Sequence, residues 1–312
     1  MRQQRDMGFL LARIPQTQLD LFIATASDLA PKSHQDLMAR NWFSLSKRRR
    51  TEPIIHSYQD NWVKITGNAR HGIATIFDND VLIFVIAQYM NAINHGMKTG
   101  RRFQFTGYEY HTFTGKKHHG GKAYLDLWRS LQRLHNTFVE TNIRLGSTNT
   151  THSFNWLSEI KQVKDGNTHR GYEIVLPEWV YESITNKKMV LTLDDDYFTI
   201  RGGLARWLYL FARKTSGFQS SGWSESIESI YNKSASTGTL SEFRRKVKNI
   251  ATKNDLLGYS VELVTSGGIK YEYKRKKDIE GLYFLRKNQL IEMIAADKPK
   301  SSRRGAIQWR KE

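Results

Sequence analysis

Two mixed α+β domains in tandem are predicted by three observations. The chain has 312 residues, enough for two separate hydrophobic cores. Apolar residues recur at helical spacing in some segments and alternate with polar ones in others. One order of elements, from a helix through a short helix, a turn and a longer helix to a two-stranded hairpin, occurs twice.

In the first occurrence, Asp78, Asn79 and Asp80 offer caps to a helix through Val81, Leu82, Phe84, Val85, Tyr89 and Ile93, which Gly96 closes. Its apolar positions lie nearly all round, so it is expected in a core. Arg101 to Thr106 alternates as a strand does, and Gly107 to Phe113 reads as a short helix. Lys122 to Asn136 sets Tyr124, Leu127, Trp128, Leu131 and Leu134 on one helical face. Strands are expected at Thr137 to Leu145, His152 to Val163 and Tyr172 to Leu176, with Asp165-Gly166-Asn167 turning between the last two.

In the second occurrence, Leu204, Trp207, Leu208 and Phe211 mark a helix ending near Gly217. Ser224 is expected to cap a short helix with Glu225 and Glu228 in its first turn. Thr239-Leu240-Ser241-Glu242 is a capping box, followed by an apolar stripe of Leu240, Phe243, Val247 and Ile250. Strands Tyr259 to Val264 and Ile269 to Lys274 flank the turn Ser266-Gly267-Gly268. This is the order of a winged-helix module, so the fold expected is α+β with two tandem winged-helix domains. The divisions expected are an N-terminal extension (1–40), a first domain (41–193), a second (194–285) and a basic C-terminal tail (286–312), with Asn186 to Lys188 and the solvated turn Asp194-Asp195-Asp196 as joints.

Charge points to the partner. Lys+Arg number 48 against 30 Asp+Glu, a net of +18, which favours a polyanion. Residues 200–277 hold 15 basic and 6 acidic residues (+9), whereas residues 78–199 hold 14 and 13 (+1). The main electrostatic footprint is expected in the second domain. Absence of cysteine excludes disulfides, thiolate metal sites and cysteine nucleophiles, and fits a cytoplasmic protein. The longest apolar run, Val81 to Ala87, is far short of a membrane span, so no membrane association is expected.

On the helix opened by Thr239, the positions read as outward are Ser241, Arg244, Arg245 and Lys248, a set suited to guanine edges and phosphates in a major groove. Against this stands an ordinary basic surface helix. Lys274-Arg275-Lys276-Lys277, at the hairpin's end, would approach the backbone or minor groove unless it is merely a solvated charge run. Lys122, Arg129 and Arg133 form an auxiliary candidate face interrupted by Asp126. Arg101, Arg102, Lys116, Lys117, His118 and His119 lie nearby, and simple exposure is the commoner explanation for them. Lys47-Arg48-Arg49-Arg50 reads as a basic arm or, more commonly, a linker charge run.

No catalytic set, metal site or cofactor is expected. His118-His119 lacks the intervening hydrophobic residue that places two imidazoles on one strand face, and no phosphate-binding loop of the Gly-x-x-x-x-Gly-Lys kind occurs. A tyrosine nucleophile such as Tyr108 or Tyr110 would need that metal site. The rivals to a non-enzymatic duplex binder are therefore a rolling-circle nickase and, closer in kind, a winged-helix transcription repressor.

The strings Gly72 to Phe84 (GIATIFDNDVLIF), Arg102 to Tyr108 (RFQFTGY), Gly120 to Tyr124 (GGKAY) and Leu131 to Leu134 (LQRL) resemble the plasmid replication initiator protein A family, over roughly residues 40 to 285. The resemblance implies a protein that binds repeated double-stranded DNA sites at a plasmid origin, opens adjacent AT-rich DNA, and recruits host helicase and other replication factors. It also implies a homodimer that represses its own gene while monomers initiate, with the first domain as the dimer interface. A major-groove helix in the second domain maps, by resemblance, onto Ser241, Arg244, Arg245 and Lys248.

Overall fold

The computed structural model describes residues 21–24, 29–116, 120–143, 151–166, 168–185, 189–217, 221–254, 256–265, 268–269 and 279–287. The chain opens with β1 (Leu21–Ile23), β2 (Lys32–His34) and α1 (Gln35–Ala39), then the hairpin β3 (Ile54–Tyr58) and β4 (Asn61–Gly67). The first half continues through α2 (Asn79–Asn94), β5 (Arg102–Phe105), α3 (Gly107–Phe113), α4 (Gly121–His135), β6 (Thr137–Thr141), β7 (His152–Asn155), β8 (Glu159–Asp165) and β9 (Thr168–Val175). Then come α5 (Glu178–Thr185) and β10 (Val190–Thr192), and the second half holds α6 (Gly203–Ser216), β11 (Trp223–Ser226), α7 (Ile227–Ser234), α8 (Leu240–Lys253), β12 (Tyr259–Thr265), β13 (Gly268–Ile269) and β14 (Gly281–Arg286).

The two halves share an order and a sheet topology. In the first, α2, β5, α3, α4, β8 and β9 follow one another and the strands lie in the order β5-β9-β8; in the second, α6, β11, α7, α8, β12 and β14 do so and the strands lie in the order β11-β14-β12, with the short β13 at the edge beyond β12. In each, the strand after the first helix pairs antiparallel with the last strand, which also pairs antiparallel with β8 in the first half and β12 in the second. The first half carries two additions. β1 joins β5 in parallel, and β6–β7, inserted after α4, join the earlier hairpin as a sheet β3-β4-β6-β7.

Packing explains the elements. α2 is buried on nearly all sides, and Phe84 meets the rings of Phe103, Phe105, Tyr110 and Phe113 at 5.2–6.0 Å between centroids. Amphipathic α4 buries Leu127, Leu131 and Leu134, each worth roughly 1.5–3 kcal/mol in removed apolar surface. Where α3 begins, a Cβ on Gly107 would stand 2.5 Å from the Tyr124 ring, so only glycine permits the approach of α3 to α4.

Several expectations are corrected. The stretch His152 to Val163 is two strands, because Trp156 and Leu157 leave the strand line to bury in the core. Ser226, not Ser224, caps α7 through a bond from the Ser229 N–H; Ser224 and Glu225 pair with Tyr283 and Leu282, a long-range ladder that outweighs the local capping signal. Asp78 sits at the N-cap of α2 without bonding its first turn, since its carboxylate accepts from Thr75 and from Arg133 instead. Asp195 and Asp196 are exposed as expected but begin a 3₁₀ turn, Asp195–Thr199, that Asp194 caps. Within the stretch counted in the 1–40 extension, Phe22, Leu37 and Met38 are core residues, and β2 pairs with β10. Asn186 to Lys188, Lys117 to His119 and Lys274 to Lys277 lie outside the described residues.

The halves are fastened to each other. Arg206 of α6 donates twice from one nitrogen to the Asp80 carboxylate at the start of α2 (2.6 and 2.8 Å) and also to the carbonyls of Ile200 and Phe198. Burial pushes the Asp80 carboxyl up to about 6 against the pull of Arg206. The Asn41 side chain donates to Ser234 O (2.9 Å), and the Arg50 guanidinium donates to Ala235 O (2.7 Å). A Cβ on Gly203 would fall on the Leu45 carbonyl, so α6 starts flush against the 41–50 segment.

Candidate nucleic-acid interface

α8 is held at its start by the predicted box: Glu242 N–H donates to Thr239 Oγ1 (3.3 Å), and Thr239 N–H donates to Glu242 Oε2 (3.0 Å). Phe243 and Val247 are fully buried, with Leu240 and Ile250 packed partly beside them. At 100° per residue this stripe puts Arg245 directly opposite, and Ser241 and Asn249 to either side. All three are exposed.

Arg244 does not belong to the outward set. It stands only about 80° from the stripe by the same rotation, and its guanidinium donates to Glu228 (2.9 Å) and to the Ile279 carbonyl (3.2 Å), tying α8 to α7 and to the chain entering β14. Lys248 is half-exposed, and Lys246, on the other flank, is exposed. The sequence reading missed Lys246 because it took the helix as two faces and not as a stripe with flanks.

On α4, Lys122 is exposed and Arg129 is exposed beside Asp126 (3.5 Å). Arg133 is turned inward, a further correction: its Nε and Nη2 donate to the two oxygens of Asp78 at 2.7 and 2.6 Å. The 73–78 segment runs past this end of the helix, Ala74 N–H donating to Thr137 Oγ1 (2.8 Å), and this brings the carboxylate alongside. Arg102 pairs with Glu173, and Lys116 lies over the Tyr110 ring (5.5 Å).

Two clefts flank the 44–50 segment. One, of about 930 Å³, lies between the halves and is lined by Arg48, Arg49, Arg50, Arg201, Lys246 and Lys253, with Glu52 as its one lining acid among the described residues. The other, about 350 Å³, is lined by Lys47, Arg48, Arg49, Arg70, His71, Arg129 and Arg133. Burial first, then the charges of Arg70 and Arg133, holds the His71 imidazole below its ordinary range. These arginines from residues 48, 49, 70 and 201 were not grouped from sequence, because the fold, not proximity along the chain, gathers them.

Tyr110 is buried, and that burial drives its hydroxyl well above the usual range, while Tyr108 is exposed. Among the described residues no group of three or more His, Asp or Glu gathers as a metal site, and no helix is long and apolar enough to cross a membrane.

Comparison with known proteins places this architecture. Domains 2 and 3 of RctB, in crystals of their selenomethionine derivative, match with a TM-score of 0.57 over 80% of this chain and 97% of that one, at 13% identity. A second crystal structure of RctB domains 2–3 gives 0.53 over 82% and 99%, at 12% identity. At such identities the likeness is one of fold. In sequence, the chain is 34% identical over 212 residues to a "Putative replication protein" of Wigglesworthia glossinidia brevipalpis, covering 66% of this chain and 76% of that protein. Residues 32–261 match the family described as RPA, replication initiator protein A, and by that span and that relative the chain belongs to the replication initiator protein A family.

Proposed function

We propose that this replication initiator binds repeated duplex sites at a plasmid origin through two tandem winged-helix units, with α8 of the second unit in the major groove. The observation that carries the reading is α8 itself, a capped helix with one buried stripe and Ser241, Arg245 and Asn249 exposed opposite it. A helix of this width fits the major groove, and arginine reads guanine through two parallel hydrogen bonds. Family membership supports initiation as the outcome of that binding. In this reading the protein opens adjacent AT-rich DNA and recruits host helicase and other replication factors, without catalysis of its own. By charge alone, Lys274 to Lys277 are assigned to phosphate contact in this reading.

The test is whether the gene with its adjacent noncoding DNA sustains an origin-less plasmid, and whether Arg245→Ala abolishes this while the variant stays folded. Maintenance lost with Arg245→Ala supports the reading. Repression of a reporter without maintenance would make the protein a repressor, and a covalent tyrosine adduct on origin single strands would make it a nickase.

A further inference from the structure

We propose that the basic run Lys47–Arg50 is a phosphate clamp that holds one duplex backbone against both halves of the molecule at once. The proposal rests on the duplex-binding reading above and adds a site to it. By sequence this run is an arm or a linker; in the fold it is neither. Its backbone is pinned at both ends, Ser44 N–H donating to Ala74 O and Ile76 N–H to Ser44 O (each 2.9 Å), and Ile73 N–H donating to Arg50 O (2.8 Å). The Arg50 guanidinium is fixed by three carbonyls, those of Glu52, Pro53 and Ala235. Lys47 Nζ sits 4.6 Å over the Phe77 ring. Between these anchors Arg48 and Arg49 stand exposed, with no ion-pair partner among the described residues.

Position gives the run its role. Arg48 and Arg49 line both clefts, the larger one shared with Arg201 and with Lys246 of α8, the smaller one shared with Arg70 and with Arg129 of α4. A ridge of cations on a pinned backbone therefore lies between the long helices of the two halves. The first turn of α6, which has no acid and no side-chain cap, opens on the larger cleft with the same sign of field. One acid, Glu52, offsets six lining cations in that cleft. Such a cleft, with its cations far outnumbering its acid, suits a line of phosphates, so its contribution is chiefly to affinity and salt dependence.

The experiment is fluorescence anisotropy of the full chain with a labelled random-sequence duplex across a sodium chloride series. Each phosphate contact contributes about 0.9 to the slope of log affinity against log salt. Arg48→Gln with Arg49→Gln is expected to lower the slope by about 1.8, and Lys246→Gln and Arg70→Gln by about 0.9 each. Lys64→Gln with Lys98→Gln, two exposed lysines that line neither cleft, is expected to leave the slope unchanged. Thermal melting verifies that each variant is folded. If the parent chain binds and the Arg48/Arg49 variant keeps the parent slope, the clamp is overturned and duplex binding stands. An effect at Lys246 with none at Arg70 overturns the bridging of the two clefts. Absence of any salt-dependent binding by the parent chain removes the duplex-binding reading itself.

Discussion

The long helices α4 and α8 hold the same place in two units that share a core order, and their basic side chains serve different ends. On α4, Arg133 is bound by Asp78 and Arg129 leans on Asp126, while Leu125 and Asp126 interrupt the exposed face. On α8, Arg244 is bound by Glu228, and Arg245 and Lys246 are left exposed beside a cationic cleft. Equal topology therefore does not give equal electrostatics. What decides is whether a carboxylate stands within reach, and residues 78–199, with 13 acids to 14 bases, supply more of them than residues 200–277, with 6 to 15.

The comparison depends on a rigid frame, and its strongest test acts on the Asp80–Arg206 pair that joins the halves. Arg206→Met is expected to cost about 3–5 kcal/mol at neutral pH, because it leaves the Asp80 carboxylate buried without a countercharge. The sign with pH follows from the carboxyl being raised from 3.8 to about 6. A raised acid favours the folded state fully below its unfolded value, and that contribution is lost as pH rises through about 6. Without Arg206 the carboxyl rises further, so the loss in the variant should be smaller at about pH 5 than at about pH 7.5. Urea unfolding at both values checks this; an equal loss at both would show that the charge on Asp80 is not what the arginine offsets.

Next in size is a contrast between the helices. Arg133→Ala is expected to show its main effect on stability, lowering it by about 3 kcal/mol, since Asp78 is only 1% exposed. Arg245→Ala should do the reverse, leaving the melting temperature in place and weakening binding to an origin repeat by about 1–3 kcal/mol. Arg244→Ala falls between them, with about 1 kcal/mol of stability lost through a half-exposed pair and little change in base preference. Melting curves and competition binding on the three variants separate these outcomes. A loss of base preference in Arg244→Ala equal to that in Arg245→Ala would return Arg244 to the groove.

The order of elements was legible in the sequence wherever periodicity was strong. Gly107–Phe113 is the helix expected, α8 opens on the expected capping box, and α2 is the expected core helix. Failures came where a distant partner overrode a local signal, as at Ser224, drawn into a ladder with Tyr283, and at Arg133, drawn to a carboxylate 55 residues away in sequence. The hairpin β3–β4 was legible and was missed: Val63 and Ile65 alternate with polar residues after the turn at Gln59-Asp60. The clefts were not legible, because their cations converge from segments that meet only in the folded chain.

The smallest effect expected concerns His71, which sharpens the comparison by asking whether the α4 side meets phosphate at all. Its imidazole lines the smaller cleft and is held below 6.5 by burial and by Arg70 and Arg133. A phosphate backbone laid in that cleft would oppose the two arginine charges and favour the imidazolium, so binding should raise the pKa of His71. Linkage then requires binding to take up protons, and affinity should strengthen modestly as pH falls from about 7.5 to about 6. Resonances of the His71 ring, followed through a pH titration with and without a random-sequence duplex, report the shift directly. His71→Gln should remove that part of the pH dependence and leave the contribution of α8 intact. An imidazole that titrates identically in both states would leave the smaller cleft empty of DNA and confine the backbone to the side of α8.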